Sequence, residues 1–273
     1  MESLLCSTGA LITSRNGRDY GLLKGLSEVL ACDGFEFMMY SAWYNEWERV
    51  AREVAEMGLP FPVFHVEKRV GTAISRNEEG DLAEAARLFE INCQVAARIG
   101  AKKLVFHLWD GEPSDRDIEN NIAQYAVMND IAGQYGLLLT VENVVCYREN
   151  PLKHLTRLLE RYPVISFSFD VKFAQFHQEL CEACTQNYNW LWEGAVQHVH
   201  ISDYAGGYKE WGKLRSLHPG EGGIDYAAFF THLRKMGYQG SVTIESTSVR
   251  EDGSVDTDKL NGSLKFLRGL MEN

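Results

Sequence analysis

Eight short apolar runs, each separated from the next by a longer stretch, constrain this chain more than any other feature. The runs are Leu4 to Thr8, Gly34 to Met39, Pro62 to Glu67, Lys103 to Leu108, Leu137 to Asn143, Ile165 to Asp170, Gln197 to Ser202 and Ser241 to Glu245. Helical patterns fill many of the intervals, as at Trp43 to Met57, Asp81 to Ile99, Asp115 to Tyr135, Pro151 to Arg161 and Tyr226 to Met236. A parallel strand can reach its neighbour only through a long crossover, so this alternation predicts parallel strands joined by helices. Gly100, Gly136 and Gly237 follow three of the helical patterns, where a left-handed residue ends a helix at least cost. Eight such units in series predict an α/β fold, a closed (β/α)8 TIM barrel running as a single domain over residues 1–273. An open doubly wound sheet is the competing architecture, but no glycine-rich phosphate loop follows the first run.

Composition narrows the partners. A chain of 273 residues with 45% hydrophobic and 24% charged residues is an ordinary globular protein with material for a large core. Its 27 Lys and Arg against 38 Asp and Glu leave a net charge of −11, which repels phosphate backbones and argues against a nucleic-acid partner. The start, MESLLCSTGALITSRNG, has no basic segment followed by a long apolar run, and no stretch of about 18 apolar residues occurs, so no membrane partner and a cytoplasmic location are expected. The six cysteines are scattered and read as reduced thiols; Cys181 and Cys184 form one CxxC without the second pair that structural zinc wants.

The strand period of two sorts side chains onto faces. In the last run Thr243 and Glu245 oppose Val242 and Ile244; in the seventh His198 and His200 oppose Val199 and Ile201; in the sixth Ser166, Ser168, Asp170 and Lys172 oppose Phe167 and Phe169. The apolar sets must meet the helices, so the polar sets point into the barrel. Glu142, His107, His65 with Glu67, and Glu36 follow the same pattern. Most of these residues fall at the C-terminal ends of their runs, the face that carries catalysis in such barrels. Each taken alone reads as a hydrogen-bonded interior group. Several carboxylates converging with imidazoles imply a cation instead, and a metal ion supplies it most economically.

The segments LVFHLWDG, TVENV, SFDVKF, HVHISD, HPGEGGID and VTIES, spaced along the chain in that order, resemble the xylose isomerase-like barrel superfamily. That group includes sugar epimerases, hydroxypyruvate isomerase, inosose dehydratase and the endonuclease IV type. The resemblance implies one divalent metal held by Glu142, Asp170, His200 and Glu245, and a small-molecule sugar or sugar phosphate as substrate. It also implies a possible homo-oligomer. One departure stands out: many relatives carry Asp-x-x-His on strand six, whereas Phe173 stands three residues after Asp170 here, with Lys172 beside it. A multinuclear zinc site of the endonuclease IV kind would lack a ligand.

Three carboxylates and one imidazole form a mostly hard donor set that favours Mn²⁺ or Mg²⁺ and accommodates Zn²⁺ or Co²⁺. The expected chemistry is isomerisation or epimerisation through an enediolate, with Glu142 and Glu245 as acid and base. Lys172 reads either as a contact to a substrate anion or carbonyl or as a counter-charge to the carboxylates. His65, His107, His218, Trp109 and Glu36 are candidate substrate contacts, with packing roles as the competing reading. His198 reads as a core histidine. Arg215 and Lys209 are candidate anion contacts or solvated loop charges, and Trp43, Tyr204 and Trp211 are candidate stacking rings or ordinary loop packing. The alternatives to an isomerase are a polyol dehydratase, a non-catalytic sugar-binding barrel and, at the far end, an endonuclease.

Overall fold

A computed structural model describes residues 1–272; Asn273, the last residue of the expected domain, lies outside them. Eight parallel strands close into a barrel in chain order, each beside its sequence neighbours, with helices around them. They are β1 (Leu4–Ser7), β2 (Gly34–Met38), β3 (Val63–His65), β4 (Lys103–Phe106), β5 (Leu138–Glu142), β6 (Ser166–Asp170), β7 (Val196–Ile201) and β8 (Ser241–Ile244). Every predicted run holds one strand, shorter by a residue or more at one end or both, or displaced by one residue in β7. By its own contacts the chain divides into two compact halves, one made of Met1–Phe37 with the segment from Phe169 onward, the other of Met38–Ser168.

The helices obey their sequence signals. Pro151–Arg161 keeps both predicted ends, because Pro151 occupies the first turn, where its missing N–H costs nothing. Gly100, Gly136 and Gly237 adopt φ of 87°, 66° and 70°, the left-handed turn that releases each chain into its next strand. The stretch from Asp115 becomes helical only at Ile118, where the Asp117 carboxylate accepts the Asn120 N–H at 3.2 Å and caps the first turn. Trp43 to Met57 divides into a 3₁₀ segment, Ser41–Glu46, and an α-helix, Trp47–Glu56. Helices at Leu22–Ser27, Arg69–Arg76, Val171–Phe176, Leu180–Ala183 and Thr257–Glu272 have no counterpart in the sequence reading.

Packing confirms the assignment of faces. Phe169 turns outward against Trp192 and Phe229, at ring-centroid distances of 5.0 and 6.4 Å, which sends Ser168 and Asp170 the other way. Phe106 packs at 5.1 Å on Phe89 of the helix Asp81–Arg98. Glu36 of β2 touches His198 and His200 of β7, strands that are not neighbours, so all three side chains point into the interior. Glu67 and Lys172 are the exceptions: Lys172 lies beyond the end of β6, in the helix Val171–Phe176, where the strand period no longer applies. β3 ends at His65, and Glu67 accepts the Arg69 N–H at 3.2 Å and meets the Tyr44 hydroxyl. Among the described residues no helix is long and apolar enough to cross a membrane.

Candidate active site

Each half of the chain carries its own cluster of ionisable groups, built at the C-terminal ends of its strands. In the half that contains β1, β7 and β8, a single oxygen of Glu36 organises the cluster. Its Oε2 lies 2.7 Å from His198 Nε2 and 3.0 Å from His200 Nε2, and none of the three side chains is open to solvent. Burial works against ionising Glu36, but the charges and hydrogen bonds of His200 and His198 outweigh it and hold the carboxyl well below the usual carboxylate range. His198 Nδ1 is 2.7 Å from Ser241 Oγ, which ties the ring to β8. His198 is thus buried as expected of a core histidine, and Glu36, a candidate substrate contact, meets both imidazoles through one oxygen. His200 Nδ1 faces Glu245 Oε1 at 3.6 Å.

Asp170, the last residue of β6, also caps the helix that follows: its Oδ1 accepts the Phe173 N–H at 3.0 Å. Lys172 Nζ lies 3.3 Å from Asp170 Oδ2, donates to Ser216 Oγ at 3.1 Å and sits 4.3 Å from the centre of the Phe173 ring. The departure at SFDVKF therefore has a physical sense. Phe173 offers its ring to a cation, and that cation balances the carboxylate beside it.

In the other half, Glu142 ends β5, His65 ends β3 and His107 follows β4 directly. His107 Nε2 lies 2.6 Å from Glu142 Oε2 and its Nδ1 lies 2.6 Å from Asp110 Oδ2, so one imidazole is held between two carboxylates. His65 Nε2 approaches Glu142 Oε2 at 3.9 Å. Burial favours the neutral His107 ring, but Asp110 and then Glu142 outweigh it and raise its pKa from 6.5 to about 9. Asp110 was missed by sequence reasoning. Its signal was the H-x-x-D spacing within LVFHLWDG, where one turn after the strand returns the aspartate to the histidine.

Two groups, Glu36 with His198 and His200, and His65 with His107 and Glu142, bring donor atoms within 4.8 Å of one another, close enough to hold an ion. Asp115, Cys146 and His154 also converge, but the Asp115 carboxylate accepts the backbone N–H groups of Tyr147, Arg148 and Glu149. That aspartate fastens a loop.

Other expected contacts lie elsewhere. Trp109 is fully buried, donates its indole N–H to Val144 O at 2.9 Å and meets His154 edge-on, so it is packing, not a stacking face. His218 is buried against the C-terminal helix, with Nδ1 2.8 Å from Ser263 Oγ; burial and then Lys259 lower its pKa. Trp43 is buried against Tyr40, and Tyr204 against Phe176. Trp211 is part-exposed with its edge on Phe176, Lys209 reaches over Tyr208, and Arg215 is exposed. The loop HPGEGGID is organised by Asp203, which sequence reasoning also passed over. Its carboxylate accepts the N–H groups of Tyr204, Gly220 and Ile224 at 2.8, 2.8 and 3.2 Å. Gly222 is obligatory there, since a Cβ would stand 2.3 Å from Asp203 Oδ1 and 2.5 Å from Tyr204 O.

A closed parallel barrel with carboxylates and imidazoles at its C-terminal strand ends defines a class of protein, and the family comparison agrees with it. The chain belongs to the xylose isomerase-like TIM barrel family, whose model matches residues 27–270. Among solved structures it is similar to a D-tagatose 3-epimerase-like protein (TM-score 0.73, 18% identity, covering 99% of this chain and 97% of that one). It is also similar to the IOLI protein with a bound zinc atom (TM-score 0.78, 14% identity, 99% and 98% covered). A third is 3-keto-D-glucoside 4-epimerase from E. coli (TM-score 0.68, 20% identity, 98% and 100% covered). No curated protein matches the chain by sequence.

Proposed function

We propose that the protein is a divalent-metal-dependent isomerase or epimerase of a small sugar or sugar phosphate, working by proton transfer through an enediolate. The observation that carries this reading is the burial of carboxylates with imidazoles at the ends of successive strands. Glu142, Asp170, His200 and Glu245 stand at the C-terminal ends of β5, β6, β7 and β8, which follow one another around the barrel. Register relates the residues pair by pair: Glu142 pairs with Ser168, two residues before Asp170, and His200 pairs with Thr243, two residues before Glu245. These four residues are the proposed metal ligands.

The residues suit such an ion. Asp170, Glu36 and Glu245 in one half meet one lysine and two imidazoles, and buried carboxylates in such number ask for further positive charge. Glu36 Oε1 is buried and has no hydrogen-bond partner among the described residues. Three carboxylates with one imidazole fit Mn²⁺ or Mg²⁺, and also Zn²⁺ or Co²⁺. When bound, the ion would polarise adjacent carbonyl and hydroxyl oxygens of an open-chain sugar and lower the cost of the enediolate.

The chain's own groups handle the protons. Glu142 and Glu245 act as base and acid on the carbon between those oxygens, one removing a proton and the other returning it. His107 holds Glu142 by a 2.6 Å contact, and Asp110 holds His107. Lys172 keeps a fixed cation beside Asp170, where it favours negative charge on the substrate. The epimerases among the similar structures, acting on sugars by name, favour the same substrate class.

The test is a panel of ketoses, aldoses and their phosphates in D₂O, with protein treated with chelator and then resupplied with Mn²⁺, Mg²⁺, Zn²⁺ or Co²⁺. Solvent deuterium is expected at the carbon next to the carbonyl, in metal-loaded protein only, and Glu142→Gln or Glu245→Gln should reduce turnover by at least 100-fold. Full activity in the metal-depleted protein, or in both variants, would refute the reading.

A further inference from the structure

We infer that an open polar cleft beyond the ends of β6 and β7 is a binding site for an uncharged sugar unit. Its walls all come from one half of the chain. Gln175 stands on the helix Val171–Phe176, Tyr204 to Gly206 begin the loop after β7, and Glu221 to Gly223 belong to the loop HPGEGGID. The cleft holds about 350 Å³, at the lower end of the roughly 300–1,000 Å³ of small-molecule sites. Its walls are fixed by packing: the Tyr204 hydroxyl donates to Gly207 O at 2.8 Å, and the Gly223 N–H donates to Tyr204 O at 2.9 Å. The Lys209 N–H donates to Phe176 O at 2.9 Å and clips the loop onto the helix that carries Gln175.

Gly206 and Gly222 admit no side chain, since a Cβ would collide with the Tyr204 hydroxyl at the first and with Asp203 and the Tyr204 carbonyl at the second. Bare backbone therefore lines much of the cleft, and a ligand can come close to it. The N–H groups of Ala205, Gly206 and Gly222 and the side-chain amide of Gln175 make no hydrogen bond among the described residues. Charge then selects the ligand. Among the described residues that line the cleft, Glu221 is the one charged side chain, and no Lys, Arg or His stands with it. Its carboxylate is held by Lys259 at 2.6 Å and accepts the His218 N–H at 3.0 Å. A phosphate or carboxylate ligand only accepts hydrogen bonds and would meet that negative charge. Sugar hydroxyls accept from the amides and also donate to Glu221. Tyr208 and Trp211, exposed rings of the same loop, add apolar surface, and Trp211 leans at 4.9 Å on Phe176, the residue after Gln175.

Amide chemical-shift mapping of chelator-treated protein tests this. The probes are the methyl glycosides of glucose, galactose and mannose, which are locked in ring form and cannot enter the proposed proton transfer, with glucose 1-phosphate as the anionic comparison. At least one methyl glycoside is expected to shift the amides of Ala205, Gly206 and Gly222 and the Gln175 side chain in a saturable way, and glucose 1-phosphate to bind there more weakly. Gln175→Ala removes a side-chain amide that has no partner in the fold, so the variant should fold normally and bind the glycoside about fivefold more weakly. No shift at these amides with any of the three glycosides, glucose 1-phosphate binding there as tightly or more tightly, or an unchanged affinity in Gln175→Ala overturns the inference. None of these results bears on the metal-dependent reading, whose own test is deuterium exchange in metal-loaded protein.

Discussion

Removing the Asp110 charge tests the imidazole held between two carboxylates in a way that needs neither substrate nor metal. In metal-free protein the rise of the His107 pKa from 6.5 to about 9 corresponds to about 3 kcal/mol, at about 1.36 kcal/mol per pH unit. Because the folded pKa is raised, this stabilisation is complete below pH 6.5 and is lost as pH climbs through about 9: the native state keeps a proton that the unfolded chain has released. Asp110 makes the largest of the contributions that raise the pKa, through its charge and its 2.6 Å contact. Asp110→Asn should therefore remove about 1–2 kcal/mol of stability at pH 6. The cost should shrink by pH 10, where the ring is neutral in both proteins and Asp110 no longer has the imidazolium beside it. Urea unfolding of chelator-treated wild type and variant, at pH 6, 8 and 10, reads this directly. A wild-type stability that stays flat between pH 6.5 and 9, or an Asp110→Asn cost that is the same at pH 6 and pH 10, would refute the coupling.

Three further outcomes are expected. Lys172→Met removes a cation 3.3 Å from Asp170 Oδ2, so divalent-ion affinity should rise by about tenfold while kcat falls; weaker metal binding in titration calorimetry would contradict the counter-charge role. Asp203→Ala strips three backbone N–H groups of their acceptor and should cost about 3 kcal/mol in thermal or urea unfolding. Gly222→Ala should destabilise by about 1–3 kcal/mol, because its Cβ collides with both Asp203 and the Tyr204 carbonyl; an unchanged melting curve would show that the loop relaxes.

How much was written in the sequence depends on the range of the interaction that decides each feature. Strand identity, strand order and the inward faces at Glu142, Asp170 and His200 follow from local apolar runs, the period of two and glycine stops, which act within a few residues. Pro151 and the glycines at 100, 136 and 237 set helix limits for the same reason. The helix Val171–Phe176 is hidden in the sequence because its cap, Asp170, is also the last residue of β6, and one side chain does both tasks.

What only the tertiary structure decided is which polar groups meet. Glu36 and His198 are 162 residues apart, and nothing local says that β2 faces β7 across the interior. The sequence therefore offered Glu36 as a candidate substrate contact without revealing the two histidines it touches. His218 and Trp109 looked available because they follow strand ends, yet helix and loop packing closes over both. Periodicity determines which face a side chain takes. Its partner, and hence its charge and chemistry, is settled only when the barrel closes and excludes water from the groups it gathers.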